Sequence, residues 1–398
     1  MSERTSIALV GIGGYGNGFV AALLDAPNQS EFRFAGGIDP NPNNCRRLKD
    51  LQAKNIPIYS TMEAFFAADR ADLIVLSTPL HLHAAHTCFA LSKGSNVICE
   101  KPLCVTLDQA KQMIDARDAT RKHVAIGYQW SFSKAIQQLK ADVMSGALGA
   151  PKRLKSLVLW PRDEAYYARN RWAGHKSDGN GQLILDSPVN NACAHYLHNM
   201  LYILGSEVDR SAQPATVKAE LYRAHPIENY DTAALRCMTT LGAELLFIVS
   251  HATSNQYGPV FSYEFENATV DFVDQPGATI TANFKDGTTR NYGSPAEARD
   301  RKIWLTINAI QSGRPPVCGI EASLPHTQCV NAAQKSAPEI VSFPADAIQV
   351  SGEVGHRKTS VKDLGDVLMR CYDEWKLPTE ISAPWAKAAK DIPIAGAI

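Results

Sequence analysis

The stretch "SIALVGIGGYG", residues 6–16, constrains the fold more than any other. Residues that suit a buried strand run directly into Gly11, Ile12, Gly13, Gly14, Tyr15 and Gly16, a Gly-x-Gly-x-x-Gly turn that opens a helical segment. Each glycine has a task in such a turn. The first permits the tight reversal, the second lets backbone approach a diphosphate, and the third lets helix and strand pack closely. The unpaired N–H groups of the helix start attract the anion. Strand, glycine turn and helix in that order predict a dinucleotide-binding unit.

A second β-rich run, "FRFAGGID", ends in Asp39. A carboxylate there accepts hydrogen bonds from ribose hydroxyls and repels a 2′-phosphate, so the expected cofactor is NAD rather than NADP. Arg46 and Arg47 follow one helix later and read as a solvated helix face. Three more short runs, "DLIVLST", "NVICE" and "HVAIGY", alternate with helical stretches such as residues 107–121. That alternation predicts a parallel sheet covered on both faces. After Tyr128 the pattern changes. A helix over residues 133–146 leads into long runs of alternating polar and apolar residues, among them "KRLKSLVLW", "ATVKAELYRA", "DTAALRCMTT", "AELLFIVSHAT", "VFSYEFENATV" and "ATITANFKDGTTRNY". The last contains Asp286-Gly287, a two-residue hairpin signal. Helices are expected again over 296–312, 321–335 and 360–376. The predicted architecture is α/β followed by α+β. A Rossmann-type, doubly wound parallel sheet occupies residues 1–128. An α+β domain with a large, mostly antiparallel open sheet occupies 129–336. Residues 337–398 form a C-terminal extension packed on the preceding domains.

Chemistry concentrates in "STPLHLHAAHTCFALSKGSNVICEKPLCVTLDQA". Ser77, Thr78 and Pro79 end one strand, His83 follows four residues later, and Glu100-Lys101-Pro102 end the next strand. Lys101 is thereby expected at the carboxyl edge of a parallel sheet, where such folds bind ligands. A fixed ammonium there can hydrogen-bond a substrate hydroxyl and stabilise developing alkoxide charge. These motifs resemble the glucose–fructose oxidoreductase/inositol dehydrogenase (Gfo/Idh/MocA) family. The likeness runs over residues 6–336 and takes in "GALGAP" and "SGRPPVCGIEASLPHTQCVNAAQKSA"; residues 337–398 have no counterpart in it. The resemblance implies a cis Lys101–Pro102 bond. It also implies cofactor contacts from the glycine turn, Asp39, Ser77, Thr78, Pro79, His83, Glu100, Lys101 and Gln129. The last lies in "GYQWSFS", where Gln129, Trp130 and Ser131 replace the family's Asn and Arg.

The segment "DSPVNNACAHYLHNM" reads as a helix start, with Asp186 or Ser187 as cap and Pro188 in the first helical position. Apolar residues at helical spacing define one core face, and Asn191, His195 and His198 fall in a row on another. In the family pattern D-x-G-x-H-x-x-D, an Asp and a His four residues apart move the proton. This sequence departs from it. Aligned from the left, Asp186 takes the Asp and Asn190 the His. Aligned from the right, His195 takes the His, Asn191 the first Asp and His198 the second. The expected base is His195, a residue that titrates in the useful range. Whether Asp186 or Asn191 partners it stays open, so Lys101, His195, Asp186 and Asn191 are the candidate catalytic residues. Upstream, "WPRDEAYYARNRWAGHK" is a loop that the resemblance places over substrate. Tyr166, Arg169 and Trp172, with His198, are the candidate substrate contacts. Aromatics with arginines suit a sugar ring, and several arginines suit a carboxylate or sulfonate.

Forty basic residues balance forty acidic ones, which gives nucleic acid or an anionic membrane no general attraction. No apolar run is long enough for a signal peptide or a membrane span. The nine cysteines lack paired or zinc-like spacing and read as free thiols of a reducing cytoplasm. His81, His83 and His86 have no supporting acid or cysteine cluster, so no metal is expected. The expected activity is NAD(P)-dependent hydride transfer to or from a hydroxyl carbon of a sugar, polyol or sugar acid. Two alternatives are a glycosidase or isomerase that recycles its hydride, with Tyr166, Tyr167 or Asp186 as the extra acid–base group, and a non-catalytic dinucleotide or sugar sensor. The long amphipathic strands, with the resemblance, lead to an expected homodimer or homotetramer paired through the open sheet.

Overall fold

The computed structural model describes residues 4–296 and 300–394. The chain forms two compact units, and it passes between them more than once. The first comprises Met1–Cys104, Asp108–Phe132 and Ala296–Glu321, and the second comprises Val105–Leu107, Ser133–Pro295 and Ala322–Ile398. Domains were expected as three consecutive segments. The compact units instead take residues 296–321 into the first and residues 337–398 into the second.

In the first unit, β1 (Thr5–Val10), α1 (Gly16–Leu24), β2 (Phe32–Ile38), α2 (Leu48–Ala53), β3 (Ile58–Tyr59), α3 (Met62–Ala68), β4 (Leu73–Leu76), α4 (His83–Ser92), β5 (Asn96–Cys99), α5 (Leu107–Thr120) and β6 (Val124–Ile126) alternate along the chain. The six strands are parallel in the order β3-β2-β1-β4-β5-β6. The strands are apolar on both sides because helices cover both faces; β4 and the apolar residues of β5 are completely buried. The order turns around between β1 and β4, and their carboxyl ends carry the glycine turn and Ser77-Thr78-Pro79. Two glycines there are required by geometry. A Cβ on Gly16 would lie 1.9 Å from the Gly11 carbonyl oxygen, and Gly11 has φ +81° with the Ser77 carbonyl 2.5 Å from where its Cβ would be.

The second unit begins with α6 (Lys134–Met144), whose first turn is capped by Ser133, and continues into β7 (Pro151–Leu159) and the short α7 (Glu164–Ala168). After α8 (Ala194–Ile203) come β8 (Pro214–Arg223), β9 (Thr232–Thr239), β10 (Glu244–Ser250), β11 (Tyr257–Phe265), β12 (Ala268–Val273), β13 (Ile280–Phe284) and β14 (Thr289–Gly293). Helix α9 (Arg301–Ser312) returns to the first unit. Then follow α10 (Ile320–Ser336), β15 (Val341–Ser342), β16 (Ile348–Ser351), β17 (Lys358–Val361), α11 (Leu364–Glu374) and β18 (Ile392–Pro393). The sheet order is β14-β13-β12-β11-β7-β10-β9-β8-β15, with β18 also paired to β8. It is mostly antiparallel; β10 runs parallel to β7 and β15 parallel to β8. The Asp286-Gly287 signal is the β13–β14 turn.

The C-terminal segment of the same chain packs on the apolar part of one face of this sheet. Leu157, Leu159, Leu246, Ile248, Ala234 and Tyr222 of the sheet pack with Leu364, Leu368, Cys371 and Tyr372 of α11 and with Phe343. Lys155 reaches into the same layer, where its ammonium donates to the Tyr372 carbonyl at 2.8 Å and lies 4.3 Å from the Tyr372 ring centre. Beyond β11 the same face turns polar: Ser262 donates to Asp271, which also accepts from Asn283.

Candidate active site

In the second unit, the segment after Asp186 starts as its sequence implies. The Ser187 hydroxyl accepts from the Asn190 N–H at 3.2 Å, and Pro188 occupies the first turn. That turn is π-helical over Pro188–Ala192, and Cys193 breaks the geometry before α8 begins. The wider turn corrects the predicted row, since Asn191 and His195 are not four residues apart on one α-helix. Asn191 instead donates to Asp186 Oδ1 at 2.8 Å, while Asp186 Oδ2 accepts from the Gly174 N–H at 2.7 Å. Asp186 is therefore a buried carboxylate that holds a loop and an amide, with the Arg169 guanidinium 3.9 Å away. Asn190, the histidine position of the left-hand alignment, is buried and donates to the Leu185 carbonyl.

Helix α8 also lacks the predicted polar face. All its residues are buried except His195, which is partly exposed. His198 is 1% exposed and stacks on Tyr202, with ring centres 5.6 Å apart. Burial first, then the neighbouring His326, His195 and Lys140, push it well below the usual histidine range. The other expected substrate contacts cluster with one another. The Arg169 guanidinium lies 3.7 Å from the Tyr166 ring centre and 5.3 Å from that of Trp172. Burial raises the Tyr166 phenol to about 12.

In the first unit, Asp39 sits at the end of β2 with its carboxylate turned toward the glycine turn. Oδ2 accepts from the Ile12 N–H at 3.0 Å and the Gly13 N–H at 3.3 Å, and Oδ1 accepts from Asn41. A cleft of about 320 Å³ lies at the start of α1, lined by Gly14, Tyr15, Asn17, Gly18, Phe19, Arg46, Asp300 and Lys302. The Lys101–Pro102 bond is cis. Two buried contacts hold this turn. The His83 ring has Nδ1 2.7 Å from the Pro102 carbonyl and Nε2 3.0 Å from the Thr78 carbonyl, which ties the ends of β4 and β5 together. Burial lowers His83 to about 4 and outweighs both carbonyls, so the ring is neutral near pH 7 and only one of its two nitrogens donates. Glu100 is buried against the Lys302 ammonium, and its Oε2 accepts from the Lys101 N–H. The Tyr15 hydroxyl lies 3.1 Å from Gln129 Oε1 and 3.4 Å from Lys302 Nζ. The structure therefore brings Tyr15, Glu100, Lys101 and Gln129 together around one lysine. His86 contacts the Thr78 hydroxyl. Among the described residues no cluster suits a metal ion and every cysteine is free.

The family model for an oxidoreductase family with an NAD-binding Rossmann fold (Gfo/Idh/MocA) matches residues 5–128. The match covers less than a third of the chain. D-glucoside 3-dehydrogenase of Escherichia coli is 33% identical over 148 residues, 37% of this chain and 41% of that protein. An inositol 2-dehydrogenase of Klebsiella pneumoniae is 24% identical over 324 residues, 77% of this chain and 88% of that protein. Against the curated relatives with the strongest matches, the chain spans less than half of their length. The WlbA dehydrogenase of Bordetella pertussis, solved with NADH and UDP-GlcNAcA, superposes with a TM-score of 0.70 at 21% identity, covering 85% of this chain and 97% of that one. That likeness shows a shared fold.

Three residues beside the Gfo/Idh/MocA motifs escaped the sequence reading. Lys302 is one; the available signal was a lysine beside Ile303 on the helix face that also carries Thr306 and Ile307. His225 and His251 are the others. His225 is buried with Nδ1 2.8 Å from Asp231, and His251 contacts the Tyr167 hydroxyl at 3.1 Å. Both histidines lie at strand ends with no local motif to mark them.

Proposed function

We propose that this chain is an NAD-dependent dehydrogenase that oxidises a hydroxyl carbon of a sugar, polyol or sugar acid. The observation that carries the reading is the Glu100-Lys101-Pro102 turn. It stands at the carboxyl end of a parallel strand, fixed by His83 on one side and by the buried Lys302–Glu100 pair on the other. Bound nicotinamide would accept the hydride. Lys101 hydrogen-bonds the substrate hydroxyl and stabilises its developing negative charge. His195, the one residue of α8 that is not buried, takes the hydroxyl proton. Asp186 and Asn191 orient the surrounding loop, and the Asp39 carboxylate favours NAD over NADP. The names of the relatives, dehydrogenases of glucosides and inositol, support a carbohydrate-like substrate.

The hydride-recycling reading gains little from the geometry. Tyr166 is raised to about 12, Tyr167 lies well above its usual range, and Asp186 is already bonded to Gly174 and Asn191. Pairing of copies through the large sheet likewise lacks support, because α11 covers the apolar part of that face. The test is a panel of sugars, polyols, sugar acids and glycosides with NAD, read for NADH absorbance and for cleaved product. NADH formed in proportion to substrate is expected. Cleavage with only catalytic NAD, or ligand binding without turnover, would overturn the dehydrogenase reading.

A further inference from the structure

Helix α7 is five residues long, Glu164–Ala168, and carries Tyr166 with Arg169 directly behind it. One helical turn does not persist by itself in water, because its nucleus costs more than its few hydrogen bonds return. The Asp163 cap, which accepts from the Tyr166 N–H at 2.9 Å, supplies one stabilising contact. The others come from the hairpin of β16 and β17, in the C-terminal segment of the same unit. The Glu164 carboxylate uses both oxygens on that hairpin. Oε2 accepts from the Gly355 N–H at 2.7 Å, and Oε1 accepts from Arg357 Nε at 2.7 Å. The Glu164 N–H donates to the Arg357 carbonyl at 3.0 Å. Asp163 forms an antiparallel bridge with Lys358, and its Oδ2 lies 3.4 Å from His356 Nδ1.

The hairpin can act as a brace because its base is fixed. Val361 is buried in the layer beneath α11, and its N–H donates to the Ala252 carbonyl at 2.9 Å. Ala252 follows His251, against which Tyr166 packs edge-on with ring centres 5.4 Å apart. Helix α7 is therefore held by the end of β10 through Tyr166 and by the hairpin through Asp163 and Glu164. A half-exposed ion pair contributes little when it stands alone. Here the Arg357 pair acts with two backbone hydrogen bonds and a strand bridge on two consecutive residues. We infer that this hairpin positions Tyr166 and Arg169 for substrate, with Glu164 and Arg357 as positioning residues. The Arg169 guanidinium lies 3.7 Å from the Tyr166 ring centre and 3.9 Å from Asp186, so a shift of α7 displaces it. Loss of the brace weakens substrate binding and leaves the hydride step at Lys101 unaltered. The inference rests on the dehydrogenase reading only for the role of Tyr166 and Arg169 as substrate contacts.

The test uses the full chain and the variants Arg357→Gln, Glu164→Ala and Arg357→Lys. Trypsin nicking after Arg169 and Arg171 reports how often α7 and the loop behind it open. Arg357→Gln and Glu164→Ala are expected to speed nicking roughly three- to tenfold, the scale of one or two half-exposed charged hydrogen bonds. The denaturant midpoint of the whole chain should stay the same. Combining the two substitutions should add little to Glu164→Ala, since both remove the same contact. Arg357→Lys keeps the charge and should recover part of the protection. Kinetics with NAD use whichever of methyl D-glucoside, myo-inositol and D-glucuronate is oxidised fastest. KM is expected to rise by the same factor as nicking, while kcat changes less than about twofold. Nicking at the unaltered rate in both Arg357→Gln and Glu164→Ala overturns the brace. Faster nicking with KM unmoved overturns the positioning role. If the unaltered chain oxidises none of the three, faster nicking still upholds the brace, and it is the dehydrogenase reading that fails.

Discussion

The Lys302 ammonium lies directly against the Glu100 carboxylate, 202 positions upstream, and both side chains are buried. Burial opposes the charge on Lys302, but the neighbouring Glu100 and Tyr15 outweigh it, so the net shift is upward. The pair is what fixes the residue immediately before Lys101. Removing one partner leaves the other as an uncompensated buried charge, and such losses run to about 3–5 kcal/mol. Lys302→Met is therefore expected to lower stability by that order in denaturant unfolding. Combining it with Glu100→Gln should recover a large part of the loss. A single variant as stable as the unaltered chain would show that the pair is not needed.

Acid should destabilise the protein through His83. Its ordinary value is 6.5 and its value in the fold is about 4. The folded state therefore binds fewer protons than the unfolded chain between those limits, so stability is full above about pH 6.5 and is lost as the pH falls toward 4. The shift corresponds to about 3 kcal/mol at ~1.4 kcal/mol per pH unit. His198 and His251 are depressed in the same direction and steepen the fall. Replacing His83 with glutamine should reduce the slope of unfolding free energy against pH in that window by the contribution of one proton. An unchanged slope would place the acid sensitivity elsewhere.

Lys101→Met is expected to reduce the oxidation rate about 10²–10³-fold, the usual cost of losing one preorganised donor to a developing oxyanion. NAD affinity should change little, since the diphosphate and ribose are assigned to the glycine turn and Asp39. Single-turnover NADH formation beside an NAD titration separates the two effects. Full activity would remove Lys101 from the proposed chemistry.

Coenzyme choice is tested at Asp39. Its carboxylate accepts from the Ile12 and Gly13 N–H groups, so it both charges and shapes the turn. Asp39→Ser should weaken NAD and improve NADP relative to NAD, with Arg46 on the adjoining cleft free to meet a 2′-phosphate. The ratio of kcat/KM for the two coenzymes measures this. A ratio unmoved by the substitution would take coenzyme choice away from this acid.

The first unit was legible because its signals are local. A strand of five or six apolar residues, a glycine turn and a cis-prolyl motif each declare themselves within a few positions. Only β3, two residues long, was too short to register. The large sheet was legible as alternation, though "VFSYEFENATV" proved to be two strands joined at Glu266-Asn267 without a glycine to mark the turn. The segment after Asp186 was misread for a physical reason. Helical spacing assumes 3.6 residues per turn, and a single π-helical turn rotates every later side chain relative to those before it. Asn191 therefore meets Asp186 and leaves the line of His195. Long-range partners such as Lys302 with Glu100 carry no local pattern at all.

The C-terminal helix should decide how copies of the chain behave. Leu364, Leu368, Cys371 and Tyr372 form the buried stripe of α11, set against Leu157 and Ile248 of the sheet. With that face covered and its remainder polar, the unaltered protein is expected to sediment as a monomer at micromolar concentration. Leu368→Asp would put a carboxylate into the layer and remove a fully buried leucine, a change worth at least the ~2–5 kcal/mol of deleting such a side chain. Undocking α11 would expose the apolar centre of the sheet, and exposed patches of that kind drive association. The variant should therefore sediment as larger species while the unaltered chain does not. A stable oligomer that Leu368→Asp dissociates would mean the opposite, that α11 builds the contact between copies and does not replace it.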